Sequence, residues 1–266
     1  MLSMTNRKHN TQTMPPVYLI NLDRSTERLQ KSKALLEKHN ILFERIPAIC
    51  GRSLSEDSCL KHYCPDLNKA RYYYNLTPAQ IGCFLSHREA WRRIAEGDAD
   101  YGIVLEDDFL VEGDVHKAFA TLNGLTHEWD LIKLSAYANR TRPIAKQFSI
   151  NDEFNLVVHK KPMSGGAATA ISKKGAQKLY ASTTKFGRPC DTEIQHFWEH
   201  GITVLSLMPY PFAQDVTCDS TIACSKKSKD DRRPLSRLSQ QGYQYLRNKS
   251  EVSKQLRNLA LQLHAE

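Results

Sequence analysis

Gly102-Ile103-Val104-Leu105-Glu106-Asp107-Asp108 is an apolar run that breaks abruptly into three acids. Four apolar residues of this kind suit a strand buried on both faces. Carboxylates at the end of a buried strand are costly unless a cation or a helix N-terminus compensates them. In open α/β sheets, ligands bind beyond the carboxyl ends of the strands. A divalent cation is the natural compensation, because Mg²⁺ and Mn²⁺ take hard oxygen ligands and complete their shells with diphosphate oxygens. The plainer alternative is a solvated acidic turn that caps the next segment.

Upstream, Thr77-Pro78-Ala79-Gln80 has Thr at the N-cap, Pro at the first helical position and Gln three residues after the cap. This is a capping box, with the residue lacking an N–H placed where none is needed. It predicts a helix over 78–95, with Ile81, Phe84, Leu85, Trp91 and Ile94 on one stripe and Gly97 closing it. Further upstream, 17–22 reads as a buried strand, Asp23 and Ser25 as caps for a helix over 26–38, and 41–46 as a second strand. Residues 51–75 have no clean period and read as a long loop with short helical turns. Downstream, strands are predicted at 130–134, at 167–171 after Gly165-Gly166, and at 202–205. Helices are predicted at 173–182 after Ser172 and at 192–200 after the cap-like Asp191, ending at Gly201. Strands alternating with helices predict an α/β sheet covered on both faces. After Pro234 a polar helix is expected, with Leu238, Tyr245, Leu246, Val252, Leu256, Leu259 and Leu263 as a broken apolar stripe.

With 266 residues, 41% hydrophobic and 25% charged, the chain has the composition of one large globular domain with or without an appendage. Disorder, collagen and coiled coil are excluded as descriptions of the whole. No apolar run approaches the ~18–20 residues of a membrane span, and no apolar signal core follows the polar start, so a cytoplasmic protein is expected. Seven cysteines, an odd and scattered set, read as reduced thiols. Cys59-x-x-His62-x-Cys64 offers three soft ligands, but no second cluster completes a zinc site. The net charge is +8, and from Ser225 onward ten basic residues face four acidic ones, so most of the excess lies in the tail. Such a tail favours a polyanion: nucleic acid, an anionic membrane surface or a phosphorylated glycolipid.

Three segments together resemble glycosyltransferase family 25, which includes bacterial lipooligosaccharide galactosyl- and glucosyltransferases and the collagen galactosyltransferases. They are Val17-Tyr18-Leu19-Ile20-Asn21-Leu22-Asp23-Arg24-Ser25-Thr26-Glu27-Arg28, Leu76-Thr77-Pro78-Ala79-Gln80-Ile81-Gly82-Cys83-Phe84-Leu85-Ser86-His87, and Ile103-Val104-Leu105-Glu106-Asp107-Asp108. Weaker echoes follow in the same order at 129–134, 166–172, Pro189-Cys190-Asp191 and Gln214-Asp215, so the resemblance covers about 16–222.

The resemblance implies a GT-A-like, Rossmann-like α/β domain over 16–224, between a flexible leader at 1–15 and a basic helical tail at 225–266. It also implies inverting transfer of a hexose, galactose from UDP-galactose first among candidates, onto a lipooligosaccharide or LPS oligosaccharide. Asn21, Arg24, Arg28, His87, Glu106, Asp107, Gly165, Gly166 and Gln214 are then expected at the UDP-sugar donor. Asp107, Asp108 and Asp215 are expected on Mn²⁺ or Mg²⁺, and Asp191 as the general base. Each has a structural alternative: a surface charge cluster for the arginines, a core histidine for His87, a turn for the glycine pair, a loop for Gln214-Asp215, an N-cap for Asp191. The tail is expected on an anionic inner leaflet or on a second subunit. UDP-glucose as donor, a non-catalytic sugar-nucleotide binder and, less favoured, a nucleic-acid-binding protein are the competing readings.

Overall fold

The computed structural model describes residues 14–137, 139–217 and 233–263. Most of the expected leader, the basic cluster Lys226–Arg232 and Cys218 and Cys224 lie outside them. The chain opens with strand β1 (Val17–Asn21), helix α1 (Thr26–Lys38) and strand β2 (Glu44–Pro47). Three turns of helix follow, α2 (Glu56–Leu60) and α3 (Pro65–Arg71) being the longer ones, and then the long helix α4 (Pro78–Glu96). Strands β3 (Tyr101–Glu106) and β4 (Phe109–Val111), helix α5 (Val115–Asn123) and strands β5 (Leu131–Lys133), β6 (Ile144–Ser149), β7 (Asn155–His159) and β8 (Ala168–Ser172) come next. Helices α6 (Lys173–Ser182) and α7 (Cys190–Ile194), strands β9 (Val204–Met208) and β10 (Phe212–Gln214), and helix α8 (Pro234–Leu263) complete it.

Eight strands form one mixed sheet in the order β2-β1-β3-β8-β5-β9-β7-β6, and β4 pairs with β10 in a separate two-stranded ribbon. β1 runs parallel to β2 and β3, and β5 parallel to β9, whereas β8 is antiparallel to both β3 and β5. The carboxyl ends of β1, β3, β5 and β9 therefore share one edge with the amino end of β8. The expected α/β class and C-terminal helix are both present. The central strands are covered completely: Leu19, Ile103, Val104, Leu105, Leu131 and Ile132 have no exposed surface.

The capping box at Thr77 forms as predicted, with reciprocal bonds to Gln80, and Ser172 caps α6 by accepting from Gly175 N. Elsewhere the elements differ. Ser25 occupies the N-cap of α1 but its side chain makes no capping bond. β2 begins at Glu44, not at 41, because Ile41 is buried ahead of the ladder and Leu42 points to solvent, 92% exposed. β4, β6, β7 and β10 were not foreseen; β6 alternates weakly and faces solvent along most of its length. The predicted helix over 192–200 is instead α7 followed by a 3-10 turn at Phe197–Glu199. Pro189 holds the N-cap of α7, so the cap alternative for Asp191 is overturned: Asp191 lies inside the first turn.

The stripe expected on the tail helix is also redrawn. Val252 and Leu259 are buried on α8 together with Gln244, Asn248 and Gln255, while Leu238, Tyr245 and Leu246 are exposed. α8 packs on β7, and Gln255 Nε2 donates to Val204 O at 3.1 Å. The five described cysteines are unpaired, and His62 Nδ1 lies 3.1 Å from Thr184 O. No helix among the described residues is long and apolar enough to cross a membrane.

Candidate active site

The parallel pairing of β1 with β3 places Ile20 opposite Glu106, so Asn21 emerges beside the acids. Asn21 is 1% exposed, donates from Nδ2 to Asp107 Oδ2 at 2.6 Å and accepts at Oδ1 from Arg45 Nε at 3.1 Å. Arg28, on the first turns of α1, pairs with Asp107 and lies 3.5 Å from Asp108. The β4–β10 ribbon folds Gln214 back onto the same point, where its Nε2 donates to Asp108 Oδ2 at 2.9 Å. Asp215 N donates to Asp108 O at 2.6 Å, but the Asp215 carboxylate turns to Lys31 and accepts from Thr217 N at 2.9 Å.

Three carboxylates at one buried edge repel one another and lose water, so their titration is divided. Burial pushes the Glu106 carboxyl up, but the His87 hydrogen bond and the nearby Lys133 and Arg28 charges outweigh it and hold it below the ordinary range. Burial raises Asp107 against the pull of Arg28 and Asn21. Asp108 is pushed up to about 6, by burial first and the Glu106 charge second. Asp108 Oδ1 is buried with no hydrogen-bond partner among the described residues. An orphaned carboxylate oxygen among hard oxygen donors suits Mg²⁺ or Mn²⁺, so Asp107 and Asp108 fit such an ion. The described residues do not bring Asp107, Asp108 and Asp215 into one compact ligand set. The compact set they do contain is Cys83, His87 and Glu106, with ligand atoms within 4.8 Å of one another. There His87 Nε2 is already 2.8 Å from Glu106 Oε1, and burial pushes the Cys83 thiol well up, keeping it protonated and a poor ligand.

α4 carries His87 to this point, one turn beyond Cys83. His87 is buried, as a core histidine would be, yet its ring addresses the acid at the end of β3. The glycine pair stands opposite. A Cβ at Gly166 would collide with Glu106 Oε1, and Gly165 has φ +98°, a conformation glycine adopts without penalty. Lys133, 1% exposed at the end of β5, donates to Gly165 O and fixes the loop. Burial pulls the Lys133 amine down, opposed by the charges of Asp191 and Glu106.

These groups line one cleft. A hollow of about 140 Å³ holds Asn21, Arg24, Arg28, Asp107, Asp108 and Gln214. It shares Cys83, His87, Glu106 and Tyr137 with a second hollow of about 360 Å³, which contains Lys133, Gly165, Gly166 and Asp191. Arg24 sits at the rim of the first hollow, its Nη1 3.0 Å from Cys50 Sγ. All the residues expected at the donor thus meet in the cleft, with Asp191 on its far side; Asp215 alone among the expected site residues turns its carboxylate elsewhere. Lys133, Tyr137 and Arg45 were not foreseen. The one available signal was a single lysine inside Leu131-Ile132-Lys133-Leu134, since a charge in a buried strand needs a partner.

The family model described as glycosyltransferase family 25 (LPS biosynthesis protein) matches residues 14–194. A glycosyltransferase 25 family member of Drosophila pseudoobscura pseudoobscura is 32% identical over 176 residues, 64% of this chain and 28% of the relative. Procollagen galactosyltransferase 1-B of Xenopus laevis is 30% identical over 121 residues, 44% of this chain and 19% of the relative. A rat protein named probable inactive glycosyltransferase 25 family member 3 is 28% identical over 237 residues, 78% of this chain and 39% of the relative. In each case the chain matches well under half of the relative's length.

Proposed function

Since the chain belongs to glycosyltransferase family 25, we propose that it transfers a hexose from a UDP-sugar to an oligosaccharide hydroxyl with inversion, UDP-galactose being the first candidate donor. The observation that carries this reading is the single cleft with cations and acids for a diphosphate at one end and, at the other, the Asp191 carboxylate, which accepts only a long hydrogen bond from Thr192 Oγ1 at 3.4 Å among the described residues. The galactosyltransferase name of one relative supports galactose. The family description supports an LPS or lipooligosaccharide acceptor.

In this reading Arg24 and Arg28 bind the diphosphate through their guanidinium forks. Glu106, oriented by His87, accepts from a ribose hydroxyl, and the glycine pair lets the donor sugar lie against backbone. Asp107 and Asp108 would hold Mn²⁺ or Mg²⁺, which when bound offsets diphosphate charge and acts as a Lewis acid on the leaving group. Asp191 accepts the proton of the acceptor hydroxyl as its oxygen bonds to the anomeric carbon. The bond from that carbon to the phosphate oxygen breaks on the opposite side, its electron pair leaving with UDP.

One relative carries the name of a probably inactive member, so binding without turnover is the reading to separate. The test incubates the full chain with UDP-galactose, UDP-glucose and UDP-N-acetylglucosamine, with and without manganese, and measures UDP binding and UDP release. Metal-dependent binding and release, greatest with UDP-galactose, is expected; binding with no release establishes the inactive scaffold, and no binding removes the proposal. The basic tail and the exposed Leu235, Leu238, Tyr245 and Leu246 of α8 support peripheral docking on an anionic cytoplasmic leaflet, checked by flotation with phosphatidylglycerol vesicles.

A further inference from the structure

Beyond Asp191 the cleft continues into a third hollow of about 240 Å³, which shares Tyr72, Tyr73, Arg140, Asp191 and Thr192 with the second. Its distinctive lining is cationic: Arg140, Arg142 and Lys161. Two neighbouring segments, 139–143 and 160–167, deliver them. Arg140 Nη1 donates to Ser164 Oγ at 3.3 Å, Lys160 N to Pro143 O at 2.9 Å, and His159 Nδ1 lies 3.3 Å from Arg142 O. α8 forms a wall, with Gln244 Oε1 accepting from Lys161 Nζ at 2.6 Å.

Among the described residues none of these three cations forms an ion pair, in contrast to Arg71 in the same hollow, which lies 3.1 Å from Glu199. Arg142 Nε and Gln244 Nε2 are buried with no hydrogen-bond partner among the described residues. The cations also feel one another. Burial and then the Arg142 charge draw the Lys161 amine down to about 8, and burial and then Arg140 lower Arg142. Asp191 is the carboxylate whose charge reaches both. Like charges held together in a half-buried hollow, with no ion pair among the described residues and one carboxylate within reach of their charge, are relieved by an anion, and a guanidinium fork fits a phosphate or a carboxylate.

We propose that this hollow is the acceptor subsite, and that it selects an anionic glycan whose phosphate or carboxylate sits on Arg140, Arg142 and Lys161 beside the hydroxyl offered to Asp191. The assignment rests on the reading of Asp191 as the acceptor-side base. It also gives α8 a place in the site, through Gln244.

The test titrates glucose, glucose 6-phosphate and glucuronate against the full chain by ligand-observed NMR. The wild type is compared with the double variant Arg142→Gln/Lys161→Gln, with Arg140→Gln, and with Arg28→Gln. The expected result is at least tenfold tighter binding of one or both anionic sugars than of glucose. That preference should be lost in the double variant, weakened severalfold in Arg140→Gln and kept in Arg28→Gln. Preference for the phosphate or for the carboxylate identifies the group carried by the acceptor. Arg140 is exposed, so its variant stays informative should the double variant melt early. Equal binding of all three sugars overturns the proposal. So does a preference that Arg28→Gln removes and the other variants keep, which would put the anion in the donor hollow. UDP binding, measured separately, tests the donor assignment, so loss of one reading is distinguishable from loss of the other.

Discussion

Asp108 is an acid that the fold holds at a cost, raised by burial and by the Glu106 charge. Its folded value of about 6 lies above the ordinary carboxylate range, so the folded chain favours the protonated form. The stability this group contributes is complete below the ordinary range and is lost as pH rises through about 6. Asp108→Asn keeps an oxygen for Gln214 and removes the charge. Without divalent cations the variant should be more stable than the wild type at pH 7.5, by on the order of 2 kcal/mol, and the gap in thermal melts should narrow as pH falls through about 6 and close only below about 4, the ordinary carboxylate range. The same variant should lose manganese-dependent UDP affinity in calorimetric titration, the combination expected of a residue kept for binding rather than for folding. Asp191 behaves differently, because it caps nothing and lies away from the diphosphate arginines. Asp191→Asn should leave UDP affinity within about twofold and lower the turnover number by about a hundredfold or more, in the range of general-base removal. Near-wild-type turnover would strip Asp191 of the role.

Helix α4 does more than cover the sheet. Its capping box fixes where it starts, and in the third turn it presents His87 to Glu106. Gly82 shows how tightly the helix is seated. In an isolated helix Gly→Ala gains about 1 kcal/mol, but here a Cβ would collide with Ile49 O and come within 2.6 Å of Gly51 N. Backbone on both sides cannot yield as a side chain would. Gly82→Ala should therefore destabilise by about 2 kcal/mol in chemical denaturation. It should also weaken UDP binding, because Ile49, Cys50 and Gly51 form a wall of the donor hollow. The loop over 51–75 also meets the cleft: Tyr72 and Tyr73 line the two hollows on the Asp191 side.

Helix α8 joins the sheet instead of trailing from it. Val252 and Leu259 are buried, Gln255 bonds the backbone of β9, and Arg233 Nη2 donates to Asn68 Oδ1 at 2.6 Å. Removing 234–266 uncovers these apolar contacts, at about 2 kcal/mol for each large side chain. A chain ending at 233 should melt about 10 °C lower than the full chain by circular dichroism. Its loss of activity should extend to soluble acceptors, since Gln244 leaves with the helix. The electrostatic layout follows the cleft from end to end: arginines and acids where a diphosphate would lie, a buried lysine under the glycine pair and, beyond Asp191, three cations that form no ion pair among the described residues.

Short-range rules made much of this molecule legible. The capping box, the apolar run into three acids and the alternation of strands with helices follow from hydrogen bonding and burial within a dozen residues of chain, and they sufficed for the α/β class and the acidic edge. The short strands β4 and β10 were illegible because three residues carry no period; their pairing brings Gln214 to Asp108 across 106 positions of sequence. The stripe on α8 misled because a helix has several faces of mixed composition, and the surface it meets determines which one is buried. The orphaned oxygen of Asp108, the tether from Lys133 to Gly165 and the cationic hollow past Asp191 arise from pairs of segments distant along the chain. Local sequence specifies which groups exist and which strand or helix presents them; burial, charge coupling and the absence of a partner are properties of proximity, and proximity is created only when the sheet assembles.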